Sequence, residues 1–318
     1  MKLEFKILWF DDQPRELDGP RGILQRFLLL QGFNLKIRDV SDIKDLESLL
    51  PKLESEGSPD LILMDWSMGN GTNGNGLDGS DVAKAIRRKF KYQEIVFYSA
   101  ATPGELRQAI FEKGIDGVFC INRKNLPAET KHVINNMLRK VLDLNQMRGI
   151  VMSHVSEFDD KISVCLSNLH SKVDGELQKK ITDEFHKVIK NHHESKLVKL
   201  GDNSHNHTLD TYKKMSVLNT RYGILKRFLR EYAPNNGQLD TILDSLDSFE
   251  SDVLIPRNAL AHAKEVQENG KLILKHNNDT YDETKLSKIR QALLIHEDNL
   301  QCIHDSIQMG LFTPTCTD

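Results

Sequence analysis

The chain has 318 residues, 39% of them hydrophobic and 28% charged, enough for about two domains of ordinary size. Lys and Arg total 43 against 46 Asp and Glu, a formal charge of −3, which excludes a molecule-wide positive field but leaves room for a local basic groove. No stretch approaches the roughly 20 apolar residues of a membrane span, the start MKLEFKILWFDDQ is too short and too soon acidic for a signal peptide, and Cys120, Cys165, Cys302 and Cys316 lack CxxC spacing; the expectation is a cytoplasmic protein with reduced thiols and no membrane contact.

Up to about residue 125, short apolar runs alternate with helical patterns. The runs are Phe5–Phe10, Leu35–Val40, Leu61–Met64, Ile95–Tyr98 and Gly117–Ile121. Helix-like periodicity lies between them near 20–31, 42–56, 79–90 and 103–113. Five strands alternating with helices predict an α/β domain, a doubly wound, parallel five-stranded sheet of flavodoxin-like type. Residues 126–145 read as its fifth helix, running without a Gly/Pro/Ser linker into the C-terminal half. From 146 to 318 the strand signal nearly disappears. Apolar stripes (Met147, Ile150, Val155, Phe158, Ile162, Cys165, Leu169; then Leu286, Ile289, Leu293, Leu300, Ile303, Ile307, interrupted by His296) predict an all-α bundle. Further helical patterns cover about 176–200, 212–232 and 237–252, and Lys271–Lys275 alone suggests a small hairpin or extended loop. The Asn/Gly-rich stretch Gly69–Gly76 and the polar Gly201–His207 read as loops.

Ligands gather at the carboxyl ends of strands in such sheets. Asp11 and Asp12 end the first strand, Asp65 the third, and Ser99 the fourth. Three converging carboxylates repel one another unless a cation compensates them, and an all-oxygen donor set suits Mg²⁺. Ser99 is placed to donate to a phosphoryl oxygen. These features resemble the receiver domain of two-component response regulators: the acid pair in ILWFDDQP, the acceptor Asp65 in LILMDWSM, the turn Asp78-Gly79, and Ser99-Ala100. The resemblance implies Asp65 as phosphoacceptor, the Ser67 main-chain carbonyl as a further Mg²⁺ ligand beside Asp11, Asp12 and Asp65, and an upstream histidine kinase or small phosphodonor. Two departures stand out. An insertion rich in Gly and Asn separates Asp65 from Asp78, and the family's lysine falls near Ile121 or Asn122 in GVFCINRKN, with Arg123 or Lys124 as the nearest basic residue for the phosphoryl group.

In the C-terminal half the informative piece is LIPRNALAHAK, residues 254–264. Pro256 suits a first helical turn. Asn258 and His262 are four apart and share a helix face, while Arg257 lies about 140° round from His262. This Arg-Asn-x-x-x-His pattern in a helical domain resembles the HEPN superfamily, many of whose members are metal-independent ribonucleases that dimerise around a shared cleft. The resemblance implies RNA as substrate and no cofactor for this domain. His262 is then the general acid or base, Arg257 the ligand of the scissile phosphate, Asn258 an orienting group, and a 2′,3′-cyclic phosphate the product. Glu250 and Asp252 are close enough upstream to assist His262. The pairs His192-His193 and His205/His207 lack carboxylate spacing and read as solvated surface.

The expectation is a response-regulator-like switch, phosphorylated on Asp65, commanding a homodimeric HEPN-like endoribonuclease effector of the kind used in bacterial stress or anti-phage responses. Two alternatives remain: a non-catalytic phosphorelay or interaction module, and a DNA-binding regulator using the basic helix Arg221–Arg230.

Overall fold

The computed structural model describes residues 3–41, 51–52, 58–67, 79–142, 144–192, 208–232, 237–268 and 271–310. The chain divides into two compact units that part between residues 143 and 144.

The first unit is built on strands β1 (Glu4–Phe10), β2 (Asn34–Val40), β3 (Leu61–Asp65), β4 (Glu94–Ser99) and β5 (Val118–Asn122). All neighbouring strands are parallel, in the order β2-β1-β3-β4-β5. This is the flavodoxin-like order of receiver domains. Every residue of the central strand β3 is buried, and five of six in β4 are, which is why both read as unbroken apolar runs. Leu8, Phe10, Ile62, Met64, Ile95 and Phe97 form one core cluster. Helices α2 (Gly79–Lys89) and α3 (Pro103–Glu112) close it with Val82, Ile86, Leu106 and Ile110. Helix α1 (Asp18–Leu30) buries Leu24 and Leu28.

Helix α3 starts on a capping box: Thr102 accepts from the Glu105 N–H, and Glu105 accepts from the Thr102 N–H. That fixes where the chain turns after β4. Gly117 opens β5 at φ 69°, a conformation that other residues adopt only under strain. Helix α4 (Leu126–Val141) packs on α1 within this unit. It does not run straight on into the second unit, because Leu142 leaves the helical region at φ −97°, ψ 45°. Of the helical pattern at 42–56, only residues 51–52 are described, and they are helical; the loops Gly69–Gly76 and Gly201–His207 lie outside the described residues.

The second unit is framed by two long helices, α5 (Leu144–Lys172) and α11 (Glu283–Gln308), packed along one another. The stripe Leu286, Ile289, Leu293, Leu300, Ile303 and Ile307 is buried as its spacing requires. His296 and Arg290 are buried within it. Arg290 is tolerated there by an ion pair with Glu283 at 2.6 Å and a contact with the Met147 sulfur. Between the two frames lie α6 (Gly175–His192), α7 (Leu209–Met215), α8 (Leu218–Tyr232), α9 (Gly237–Ser245), a π turn at Glu250–Leu254 and α10 (Ile255–His262).

The all-α expectation needs one correction. An antiparallel sheet of three strands, β6 (Lys264–Glu268), β7 (Lys271–His276) and β8 (Asp279–Tyr281), separates α10 from α11. Only β7 carried an apolar signal, through Ile273 and the fully buried Leu274. Strand β6 reads KEVQE and is almost wholly exposed, and β8 has three residues. Neither has a hydrophobic period to read. The turn joining β7 to β8 places Asn277 at φ 54°, a left-handed position Asn tolerates.

Candidate functional site

The β1–β3 register ends with Phe10 opposite Met64. One step further along both strands stand Asp11 and Asp65, so the sheet itself makes them neighbours. Asp11 and Asp65 are buried, Asp12 is exposed, and one carboxylate oxygen from each lies within 4.8 Å of the others. That donor set fits a hard divalent cation.

Asp11 and Asp65 are held in place. The Asp11 N–H donates to the Val40 carbonyl at 3.2 Å, and its Oδ1 accepts from the Gln13 N–H at 2.7 Å. Asp65 Oδ1 accepts from the Ser67 N–H at 3.2 Å. The Arg123 guanidinium spans the pair, donating to Asp11 Oδ2 at 2.7 Å and to Asp65 Oδ2 at 3.3 Å. Burial raises the Asp65 carboxyl to about 6, reinforced by Asp11 and Asp12 and opposed by the Ser67 N–H and Arg123. Arg123 is held above its ordinary value: burial works against its charge, but Asp65, Asp11 and Tyr98 outweigh it.

Sequence spacing left Arg123 and Lys124 as alternatives. In the structure Arg123 reaches the acids, whereas Lys124 is exposed. The reason lies at the end of β5. Ile121 is buried in the core, and the Asn122 side chain donates to the carbonyls of Ala100 and Ala101 at 3.1 and 3.0 Å. The next residue, Arg123, then turns back over the strand ends. Ser99 is buried at the end of β4, its Oγ accepting from the Ala101 N–H at 3.2 Å.

One participant escaped the sequence reading. Tyr98, fully buried, donates from its hydroxyl to Asp11 Oδ2 at 2.5 Å and accepts from the Trp9 indole N–H at 2.8 Å. Burial and the Asp11 charge push its phenol up. In IVFYSA this residue reads as one more apolar strand position. Only the β3–β4 register, which sets Tyr98 beside Asp65, gives it away.

In the second unit Arg257 and Asn258 sit together, with an Arg257 N–H donating to Asn258 Oδ1 at 2.8 Å. Both line a cavity of about 520 Å³ between α5, the start of α8, the π turn and α10, shared with Met152, Asp159, Arg221 and Leu254. His262 is exposed at the far end of α10 and is not part of the cavity wall; its ring lies 6.2 Å from that of His276 on β7. Asp252 lies 3.6 Å from the buried His296 rather than beside His262, and Glu250 lines the cavity. Pro256 stands in the first turn of α10, as expected, but it does not begin the helical run. The backbone is already helical at Leu254, following the π turn. A proline inside a helical run forfeits a hydrogen bond to the preceding turn, and the wider π turn accommodates it. The basic helix α8 buries Tyr222, Leu225, Phe228 and Leu229. Its cations are paired: Arg221 with Asp159, Lys226 and Arg230 with Asp247, and Arg227 with Glu184.

No described helix is long and apolar enough to cross a membrane. No protein-family model matches the chain, and no curated protein matches it. Among solved structures, the RcsB response regulator of Salmonella typhimurium is 21% identical, with a TM-score of 0.33, over 44% of this chain and 61% of that one. A receiver domain of Francisella response regulator 1452 is 19% identical, TM-score 0.31, over 42% of this chain and 97% of its own. A CheY-like receiver domain protein from Methanospirillum hungatei JF-1 is 14% identical, TM-score 0.30, over 43% and 98%. Each of these three likenesses covers less than half of this chain, while other RcsB structures match over 63% and 70% of it.

Proposed function

We propose that the first unit is a phosphoryl-accepting switch and the second its RNA-cleaving effector. The observation that carries the first half is the convergence of Asp11, Asp12 and Asp65 within 4.8 Å beneath the Arg123 guanidinium. Folding alone has no use for three acids at one sheet edge, since each loses hydration and repels the others.

Asp65 is the nucleophile. A carboxylate oxygen bonds to phosphorus as the bond to the donor's leaving atom breaks, giving an acyl phosphate on Asp65. Mg²⁺, held by Asp11, Asp12, Asp65 and the Ser67 carbonyl, would screen the incoming phosphoryl charge. Arg123 already donates to Asp11 and Asp65, and it replaces the family's lysine as the counter-charge of the phosphoryl group. Ser99 supplies a hydroxyl at the neighbouring strand end. Lys124 has no such position.

For the second unit, the match of Arg257, Asn258 and His262 to the HEPN pattern supports RNA cleavage without metal. The RNA 2′-OH attacks phosphorus and the 5′-oxygen leaves; His262 carries a proton in that exchange, and Arg257 neutralises the phosphorane. Arg257 and His262 stand on different sides of α10, so a homodimer, pairing the motifs of two copies across one cleft, fits this reading better than a single copy does. A cytoplasmic location under a histidine kinase fits the switch.

The test takes the full chain in two arms. With acetyl phosphate and Mg²⁺, intact mass should show one added phosphoryl group, lost with EDTA and lost in Asp65→Asn. With labelled RNA, cleavage should survive EDTA and vanish in His262→Ala. Equal cleavage by wild type and His262→Ala removes the nuclease half, and labelling of Asp65→Asn removes the switch half.

A further inference from the structure

The cavity in the helical unit is more than a packing defect. Its volume of about 520 Å³ falls within the range of roughly 300–1,000 Å³ of small-molecule sites. Aliphatic walls from Met152, Val155, Leu254 and Ile255 alternate with polar and charged groups, of which Asp159 and Arg221 are spent on each other. The two arginines on it differ sharply. Arg221 is spent: it is buried, it pairs with Asp159, and it donates to the carbonyls of Lys213 and Ser216. Arg257 has Asn258 alone. Its Nε is sealed from solvent without a hydrogen-bond acceptor, and no described carboxylate pairs with its charge. Such a guanidinium is short of an anion.

Glu250 is the second unspent group, a carboxylate on the cavity with no ion pair among the described residues. The π turn and α10 form one continuous helical run. Seven residue steps therefore set Glu250 and Arg257 roughly 10 Å apart along the axis, comparable to the length of one nucleotide from base edge to phosphate. A cation at one end, an acceptor at the other and aliphatic walls between them match a nucleotide whose base edge carries adjacent N–H donors. Guanine, with N1–H and N2–H₂ side by side, satisfies a carboxylate bidentately; adenine, cytosine and uracil do not.

We propose that this cavity binds one guanine nucleotide unit, its phosphate on Arg257 and its base edge on Glu250. The inference deepens the reading of Arg257 as a phosphate ligand, and it makes cleavage by this domain selective for linkages next to guanine. The same chemistry is offered by a free guanine nucleotide and by a guanosine within RNA.

Calorimetric titration of the full chain carrying His262→Ala, with GMP, AMP, CMP, UMP and a trinucleotide RNA with central guanosine, separates these sources. GMP should bind one-to-one and about tenfold or more tighter than the other three, as for a site built to hydrogen-bond its ligand. Glu250→Gln, nearly the same shape, should reduce that preference to less than about threefold. Ser156→Trp at the exposed rim, or Asn219→Trp should the first not fold, should weaken binding by about tenfold or more. These magnitudes correspond to one good contact. Trinucleotide binding assigns the site to RNA; GMP binding with the trinucleotide excluded assigns it to a free nucleotide. Equal affinity for all four nucleotides, no saturable binding, or an undiminished preference in Glu250→Gln would overturn the proposal. Wild type that cuts RNA with no regard to base overturns this site and leaves the nuclease; guanine selectivity in a chain that cuts nothing leaves the site and removes the nuclease.

Discussion

Lone pairs decide what the acid cluster does. Asp11 Oδ2 already accepts from both Tyr98 and Arg123, while its Oδ1 accepts from the Gln13 N–H. Tyr98 is buried and fixed by Trp9; the Arg123 side chain is 30% exposed and is the partner free to leave. Arg123 thus competes with a cation for the same oxygens. Arg123→Ala should raise affinity for Mg²⁺ by roughly tenfold, read as the change in tryptophan fluorescence on titration, since Trp9 and Trp66 both adjoin the site; unchanged affinity would show that the guanidinium is not in competition. Asp65 adds a pH signature. Its folded carboxyl lies near 6 against 3.8 unperturbed, so between about pH 4 and 6 the folded chain holds more protons than the unfolded. Stability of the EDTA-treated protein should fall as pH rises through that window. Asp65→Asn should flatten the profile and stabilise the chain at pH 7 by up to about 3 kcal/mol, measured by urea denaturation. The three acids were legible in the sequence because acids at strand ends have no structural excuse. The choice of Arg123 over Lys124 was not, since it depends on how Asn122 turns the chain, and Tyr98 was hidden because a buried phenol in a strand looks like any other core residue.

At the scale of elements, the parallel sheet was readable because β3 and β4 are buried on both faces and carry continuous apolar runs. Their carboxyl ends were readable too, from the polar residue that closes each run: the third strand ends at Asp65 and the fourth at Ser99, as expected. The β6–β8 sheet shows the limit of pattern reading, as β6 buries almost nothing, β8 buries Tyr281 alone, and both are held by pairing to β7. That pairing has a measurable consequence. Leu274, fully buried on β7, should cost the second unit about 2–5 kcal/mol when changed to Ala, seen as an earlier transition in urea with α/β signals of the first unit unmoved. The capping box at α3 predicts a smaller loss, about 1 kcal/mol for Thr102→Ala, confined to the first unit. A π turn running into a proline-containing helix buries Val253, Leu254, Ala259 and Leu260 without a regular helical period across Pro256, so the continuity from Glu250 to Arg257 is a property of the fold and not of the pattern.

For the whole molecule, the first unit brings its acids together by sheet order, and the second presents Arg257 and Asn258 on a cavity beside the motif's helix. The switch requires that the cluster accept a phosphoryl group at Asp65, the residue that its geometry selects. Reduction of the acetyl-phosphate-treated chain with borohydride converts an aspartyl phosphate to homoserine, and peptide mass mapping then places it. The prediction is homoserine at position 65, formed only when Mg²⁺ was present and absent from Asp11→Asn. Homoserine elsewhere, or at 65 without any divalent cation, would contradict it.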